Sequence, residues 1–365
     1  MGVALFAESA NLYTQSLING LTAGSLIALI ALGYTMVYGI VELINFAHGD
    51  VFMLGTFFAF TVLAVLGLTG SDTAAAGGGQ ILLALFLMLL LTPVFCAALN
   101  WSIDRVVYKP LRRAPKLAPL VSAIGVSFCL MNLGMFWNGV MPEKTEKPDG
   151  TVKYDKVPSA SGRNFPALLA TPAAVERLQA WGVSDERGNI LDGRLARSVF
   201  GDAGGLRFTV SDLLIVLVTV PLMIGLTLFV KRSSLGKAMR ATAQNPTAAQ
   251  LMGINVDRVI GLTFVIGGAL AGFGSVVAAL TLYSTIDYQL GYQQGLYAFT
   301  AAVLGGMTSL PGAFLGGVIV GVIQAVATSA PLFDGIPGPP GTLIVFVVLV
   351  AVLVVRPQGL LGRAA

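Results

Sequence analysis

Residues 19–50 read NGLTAGSLIALIALGYTMVYGIVELINFAHGD. The stretch carries no charge until Glu42, and then Glu42, Asn45, His48 and Asp50 follow within nine residues. An apolar run of roughly 17–25 residues spans a bilayer as a helix. Polar groups held at membrane depth face a cavity or a protein neighbour, because lipid cannot satisfy them. Two readings of the polar end stand side by side. It is a broken helix or re-entrant turn bordering a solute path, or an interfacial turn whose groups meet water and cap the next helix. His48 is the only histidine in the chain, which excludes histidine dyads and histidine-rich metal sites and reads as a satisfied turn residue rather than a proton relay. Gly20 and Gly24 stand one helical turn apart, the spacing that lets a neighbouring backbone come close.

The same kind of run recurs along the chain, near 14–39, 49–67, 81–100, 117–137, 212–230, 257–280, 293–309, 312–330 and 342–355. The expectation is an all-α polytopic transmembrane bundle of about nine spans, within a range of eight to ten. The glycine-rich runs 49–67 and 293–309 are candidates for broken or re-entrant segments, and 1–365 forms a single membrane domain. Composition agrees: 55% of the residues are hydrophobic and 11% charged, against about 25% charged in soluble domains. Cys96 and Cys129 lie inside apolar runs, so no disulfide framework is expected. The opening MGVALFAESANLYTQ lacks the basic start of a signal peptide, so the first run is expected to stay in the mature protein.

Twelve of the 22 basic residues gather in three connections. Arg105, Lys109, Arg112, Arg113 and Lys116 crowd the first; Lys231, Arg232, Lys237, Arg240 and Arg258 the second; Arg356 and Arg363 follow the last run. The positive-inside rule places all three in the cytoplasm, which puts the N-terminus outside and the C-terminus cytoplasmic. The net charge of +4 thus reads as topology and not as nucleic-acid binding. Segment 138–211 holds the other ten basic residues, a similar number of acids and turn signals at Asp149-Gly150 and Asp192-Gly193. It is expected to be an extracytoplasmic insertion, with a short helix near 172–181 signalled by Thr171-Pro172.

The connection 231–256, with Arg258 just beyond it, is too polar to cross a membrane. Asn245-Pro246 signals a helix start and Gly253 its stop, predicting a short helix over 246–252 with Ala249, Leu251 and Met252 on a small apolar face. Such a helix docks into a groove on a partner, or it is an amphipathic connector on the bilayer surface. Gly268/Gly272, Gly312/Gly316 and Gly317/Gly321 predict tightly crossed helices. No charged residue falls in the middle of a run, which disfavours an ion-coupled pump with buried carboxylates. No phosphate loop is present either, so the chain has no ATP-hydrolysing site of that kind. A passive channel or facilitator also accounts for the glycine-rich, charge-poor runs.

The stretches 19–55 with INFAHGDVFMLG, 107–137 around VYKPLRRAPKLAPLVSAIGVSFCLMNL, 231–321 with GKAMRA…LMGINVDRV, and RPQGLLG at 356–362, nearly all the chain outside 138–211, resemble the LivH-type permease subunit of branched-chain amino-acid ATP-binding-cassette importers. Branches for urea, amides and other small polar solutes are similar. The resemblance implies a bacterial inner-membrane permease without catalytic residues, metal or cofactor of its own. It implies pairing with a second related permease, two cytoplasmic ATPases and a periplasmic solute-binding protein. It also makes 231–256 the coupling loop, with Arg240, Asn245, Pro246, Ala249, Leu251, Met252 and Gly253 as the coupling residues, Arg240 and Asn245 serving as contact or capping groups. Segment 138–211 departs from the compact family form.

Overall fold

The computed structural model describes all residues except 1, 70–76, 113, 116, 147–151, 157, 167, 169–175, 177, 184–205, 283–284, 331–339, 357 and 363–365. In chain order the helices are α1 (Gly2–Val41), α2 (His48–Val65), α3 (Gly78–Leu111), α4 (Leu117–Val140), α5 (Val210–Arg232), α6 (Ser234–Gln244), α7 (Pro246–Leu251), α8 (Val256–Thr281), α9 (Leu290–Gly305), α10 (Leu310–Ser329) and α11 (Pro340–Val355). Each of the nine apolar runs holds one of them. Among the described residues seven, α1 to α5, α8 and α10, are long and apolar enough to cross a membrane; α9 and α11, at 16 residues each, are shorter.

Among the described residues four short strands interrupt the helical plan. β1 (Pro142–Glu146) pairs antiparallel with β2 (Val152–Lys156), and β3 (Arg163–Asn164) pairs with β4 (Thr285–Ile286). Of the helix expected near 172–181, residues 172–175 and 177 fall outside the described residues, and 176 and 178–180 are helical. What anchors segment 138–211 is Arg163, which is 3% exposed. Its Nε donates to Asn138 Oδ1 at 2.9 Å and its Nη2 to the carbonyls of Asn138 and Met141 at 3.0 and 2.7 Å. Its guanidinium also lies 5.1 Å from the Phe60 ring centre. A buried cation is tolerated only when its donors are filled in this way.

Burial sorts the helices into an inner set and a lipid-facing set. The membrane windows of α1, α2 and α8 are 78, 78 and 72% buried, and those of α3, α4 and α5 only 28, 22 and 17%. The outer helices turn large apolar side chains such as Leu82, Phe86, Phe128, Phe136 and Leu217 outward, as lipid contact requires.

Association of helices in lipid draws on close packing rather than on the hydrophobic effect, and the glycines supply it. On the α1–α10 seam a Cβ at Gly20 would fall 2.6 Å from Val322 Cα, and one at Gly24 2.8 Å from Val318 Cα. Gly317 meets Ala28 and Gly321 meets Gly24 on the same seam. On the α8–α3 seam Gly268 meets Cys96 and Ala97, and Gly272 meets Pro93. Gly312 and Gly316 abut Gly305 and Ala301 of α9.

These seams relate two halves. α1 packs on α10 as α8 packs on α3, α2 lies against α8 as α9 lies against α1, and α2 touches α4 as α9 touches α11. α1 and α8 cross with Gly33 against Gly267 and Leu29 against Gly274, so their numbering runs in opposite directions. The segments α1–α2–α3 and α8–α9–α10 are therefore two inverted copies of one arrangement, the plan common to membrane transporters built from repeats. At the chain's end Leu360 and Leu361 donate their backbone N–H groups to the Leu304 and Gly305 carbonyls, at 2.8 and 3.0 Å. That strap is possible because Gly306 and Gly359, both with positive φ, let the two backbones touch.

Candidate functional site

Three features converge on the inner helices. The first is the turn 42–47. Glu42 ends α1 with φ 53° and stays exposed, but Asn45, His48 and Asp50 are 2, 0 and 1% exposed. His48 packs against Gly33, eight residues before the end of α1 and so roughly 12 Å back along its axis. The turn therefore folds back into the bundle, and the interfacial reading does not hold. Tyr108 donates to Asn45 Oδ1 at 3.0 Å, Asn45 Nδ2 lies 3.3 Å from Asn100 Oδ1, and Asn100 donates to the Phe264 carbonyl at 2.7 Å. One amide thereby links the turn, α3 and α8.

His48 is enclosed in the bundle rather than set in a hydrated turn. Its ring lies beside the Ile30 backbone and stands edge-on to Tyr34 with centres 4.9 Å apart. Asp50 stands at the edge of the 49–67 run rather than in its middle, yet the fold encloses it. One of its oxygens accepts from Ser127 on α4, and the other, Oδ1, is buried without a partner among the described residues. It was hidden in sequence because it stands beside a turn that hydropathy places at the surface.

Here the two halves meet. Gly49 lies against Gly291 and Gly295, and Asp50 against Gly291, so the N-termini of α2 and α9 abut inside the bundle. Beside this junction a cavity of about 560 Å³ opens between α1, α9 and α10. Asn19, Gln293, Gln294 and Gln324 line it together with Leu26 and Ile27, and among the described residues no charged side chain does.

The second feature is the 231–256 connection. α7 starts with Asn245, whose Oδ1 accepts from the Ala248 N–H at 2.9 Å, followed by Pro246, and ends at Gly253 with φ 83°. Arg240 caps a different helix: its guanidinium donates to the Val230 carbonyl at the end of α5. The expected apolar face is divided. Leu251 and Met252 are 85 and 82% exposed, whereas Ala249 is 4% exposed and turns into the protein. Ala249 is thus a packing residue.

The third feature links the other two. The end of α3 widens into a π-helical turn at Asp104–Tyr108. Arg112 pairs with Asp104 at 2.6 Å and also with Asp257 in the first turn of α8, while Lys109 pairs with Asp257 at 3.0 Å. Asp257 is half exposed, so its pairs contribute little. Asp104 is 3% exposed, and removing its partner leaves a buried charge alone. Arg112→Ala is expected to cost about 3 kcal/mol, seen as a lower unfolding temperature in detergent, and Asp104→Asn in the same chain is expected to recover most of it. A double variant no more stable than Arg112→Ala would contradict this account. Sequence reading placed Arg112 only as a topology marker and overlooked Asn100, Tyr108, Ser127 and Gln294; polar residues lying in or beside apolar runs were the available signal.

The arrangement has two inverted halves, helix ends meeting in the core, a cavity of mixed amide and apolar lining beside them and an exposed helix on one connection. The family model described as "Branched-chain amino acid transport system / permease component" matches residues 16–354. The chain belongs to this family. The permease is 38% identical to the high-affinity branched-chain amino acid transport system permease protein BraD of Pseudomonas aeruginosa, over 96% of each chain. It is 36% identical to the permease proteins LivH of Salmonella typhimurium and Escherichia coli K12, again over 96% of each. No solved structure matches it. The permease is a multi-pass inner-membrane protein and a transport component.

Proposed function

We propose that this permease forms half of the pathway of an ATP-driven importer of branched-chain amino acids. It pairs with a second related permease, with two cytoplasmic ATPases and with a periplasmic solute-binding protein. The observation that carries this reading is similarity to branched-chain amino-acid permeases along nearly the whole chain. Orientation follows the basic connections: the N-terminus is outside, and α6 and α7 lie in the cytoplasm. Leu251 and Met252 on α7 seat in the ATPase, and Asn245, Pro246 and Gly253 hold that helix in shape.

A driven change of state requires that the motor act differently on two arrangements of the pore. Continuous contacts support such a route here. α7 leads through Asn255 into Asp257 and α8; Asp257 meets Arg112 and Lys109 beside the π-helical turn; Tyr108 in that turn holds Asn45. Asn45 positions the start of α2, and there Glu42, Asn45, His48 and Asp50 border the path. Movement of α7 thereby reaches the α2–α9 junction without crossing lipid.

The test is uptake by proteoliposomes containing the complete assembly. Leucine, isoleucine and valine are expected to accumulate only with ATP inside the cytoplasmic compartment and binding protein outside. Uptake that persists without ATP, or a preference for urea or acetamide over leucine, would overturn the assignment.

A further inference from the structure

Resting on that reading, we infer that the cavity between α1, α9 and α10 is the permease's own solute-recognition chamber, with Gln294 as a specificity-determining contact for a zwitterionic amino acid bearing an aliphatic side chain. Gln294 is 7% exposed and its amide makes no hydrogen bond among the described residues. It sits in the first turns of α9, between Gly291 and Gly295, which touch α2. It thus forms the deep wall of the cavity, next to the helix ends that close the path. An amide kept without a partner at this depth is explained when its group turns toward a water-filled or solute-filled space.

The lining matches one solute class. An amide offers both a carbonyl acceptor and N–H donors; Asn19 Oδ1 already accepts from Gln15 Nε2 at 2.8 Å, which leaves Gln293, Gln294 and Gln324 to serve the ammonium and the carboxylate of one zwitterion. Leu26 and Ile27 of α1 add apolar surface to the lining, suited to a branched aliphatic chain. Among the described residues no charged side chain lines the cavity, so a solute with net charge would find no counter-ion in this lining and is disfavoured. The Tyr297 hydroxyl is already engaged with Thr342 of α11 at 2.5 Å, so Tyr297 offers its ring. On the orientation proposed above, the end of α10 that lines the cavity faces outward, where a binding protein delivers its load.

The experiment uses the complete transporter in proteoliposomes and compares wild type with Gln294→Ala and Gln294→Asn. Two quantities are read: ATP-driven leucine uptake, and ATP hydrolysis stimulated by loaded binding protein. Gln294→Ala is expected to lower uptake about tenfold, the effect of one lost hydrogen bond to a charged group. Hydrolysis is expected to stay within about twofold, and Gln294→Asn to recover part of the uptake. Unchanged uptake in Gln294→Ala overturns the inference. So does a parallel loss of uptake, stimulated hydrolysis and assembly, which marks a structural role. As a second arm, Gln324→Cys on the half-buried wall is modified with a membrane-impermeant thiol reagent. The unsubstituted chain, whose Cys96 is buried and Cys129 exposed, is the control. Modification is expected to block uptake, and labelling without effect overturns the chamber. Absence of leucine uptake in the wild type sinks the proposed function itself, and with it the solute class; the ratio of variant to wild type reports on the site alone.

Discussion

Gly321→Leu is expected to yield no folded permease. A side chain at Gly321 enters the backbone of Gly24 and would fall 2.6 Å from the Gly20 carbonyl oxygen. Neither neighbour can swing aside as a flexible side chain could. Overpacking in a tight interior costs about 1–3 kcal/mol for a few extra methylenes; four carbons against main chain exceed that, and the α1–α10 seam must part. In lipid nothing replaces the lost contact, because association there depends on close approach. Size-exclusion of the detergent-extracted variant is expected to show aggregate only. Gly225→Leu on lipid-facing α5, where a Cβ meets nothing within 4 Å, is expected to elute like wild type. A monodisperse Gly321→Leu would show that the seam is not structural.

Leu251→Glu combined with Met252→Glu is expected to abolish ATP-driven uptake while the chain inserts and folds normally. Both side chains are more than four-fifths exposed, so the substitutions disturb no internal packing. They place two carboxylates where an apolar anchor would enter a groove, and losing such anchors weakens association about 100-fold. Co-purification of the ATPases is the measurement, and retained ATPases with normal uptake would refute the docking role. Ala249→Glu is the wrong probe, since Ala249 is enclosed and its replacement acts on folding.

How much of this was legible in the sequence depends on range. The start and stop of α7 were readable because Asn245, Pro246 and Gly253 act within one or two turns. The nine apolar runs were readable because hydropathy is summed over a local window, and the paired glycines showed where helices would come close. Depth was not readable. The glycine content of 49–67 and 293–309 marked α2 and α9 as candidates for broken or re-entrant segments, but only the meeting of Gly49 with Gly291 shows that both begin inside the bundle. Facing was equally hidden, because a helix that is apolar all round carries no stripe marking its inner side. The side to which Ala249 turns, and the link from Arg112 to Asp257 across 145 residues, are products of tertiary packing with no local signature.

The two glycine-lined seams have a consequence in time. Gly24 leaves the ribosome about 300 residues before Gly321, its partner, a delay of roughly 15–60 s at ordinary rates of synthesis. For that interval the newborn α1 rests in the bilayer with its groove unfilled, and α3 likewise waits for α8. Translocation machinery or a transient neighbour must shelter those surfaces, and slowing translation between the halves should prolong the window in which the nascent chain is open to membrane proteases.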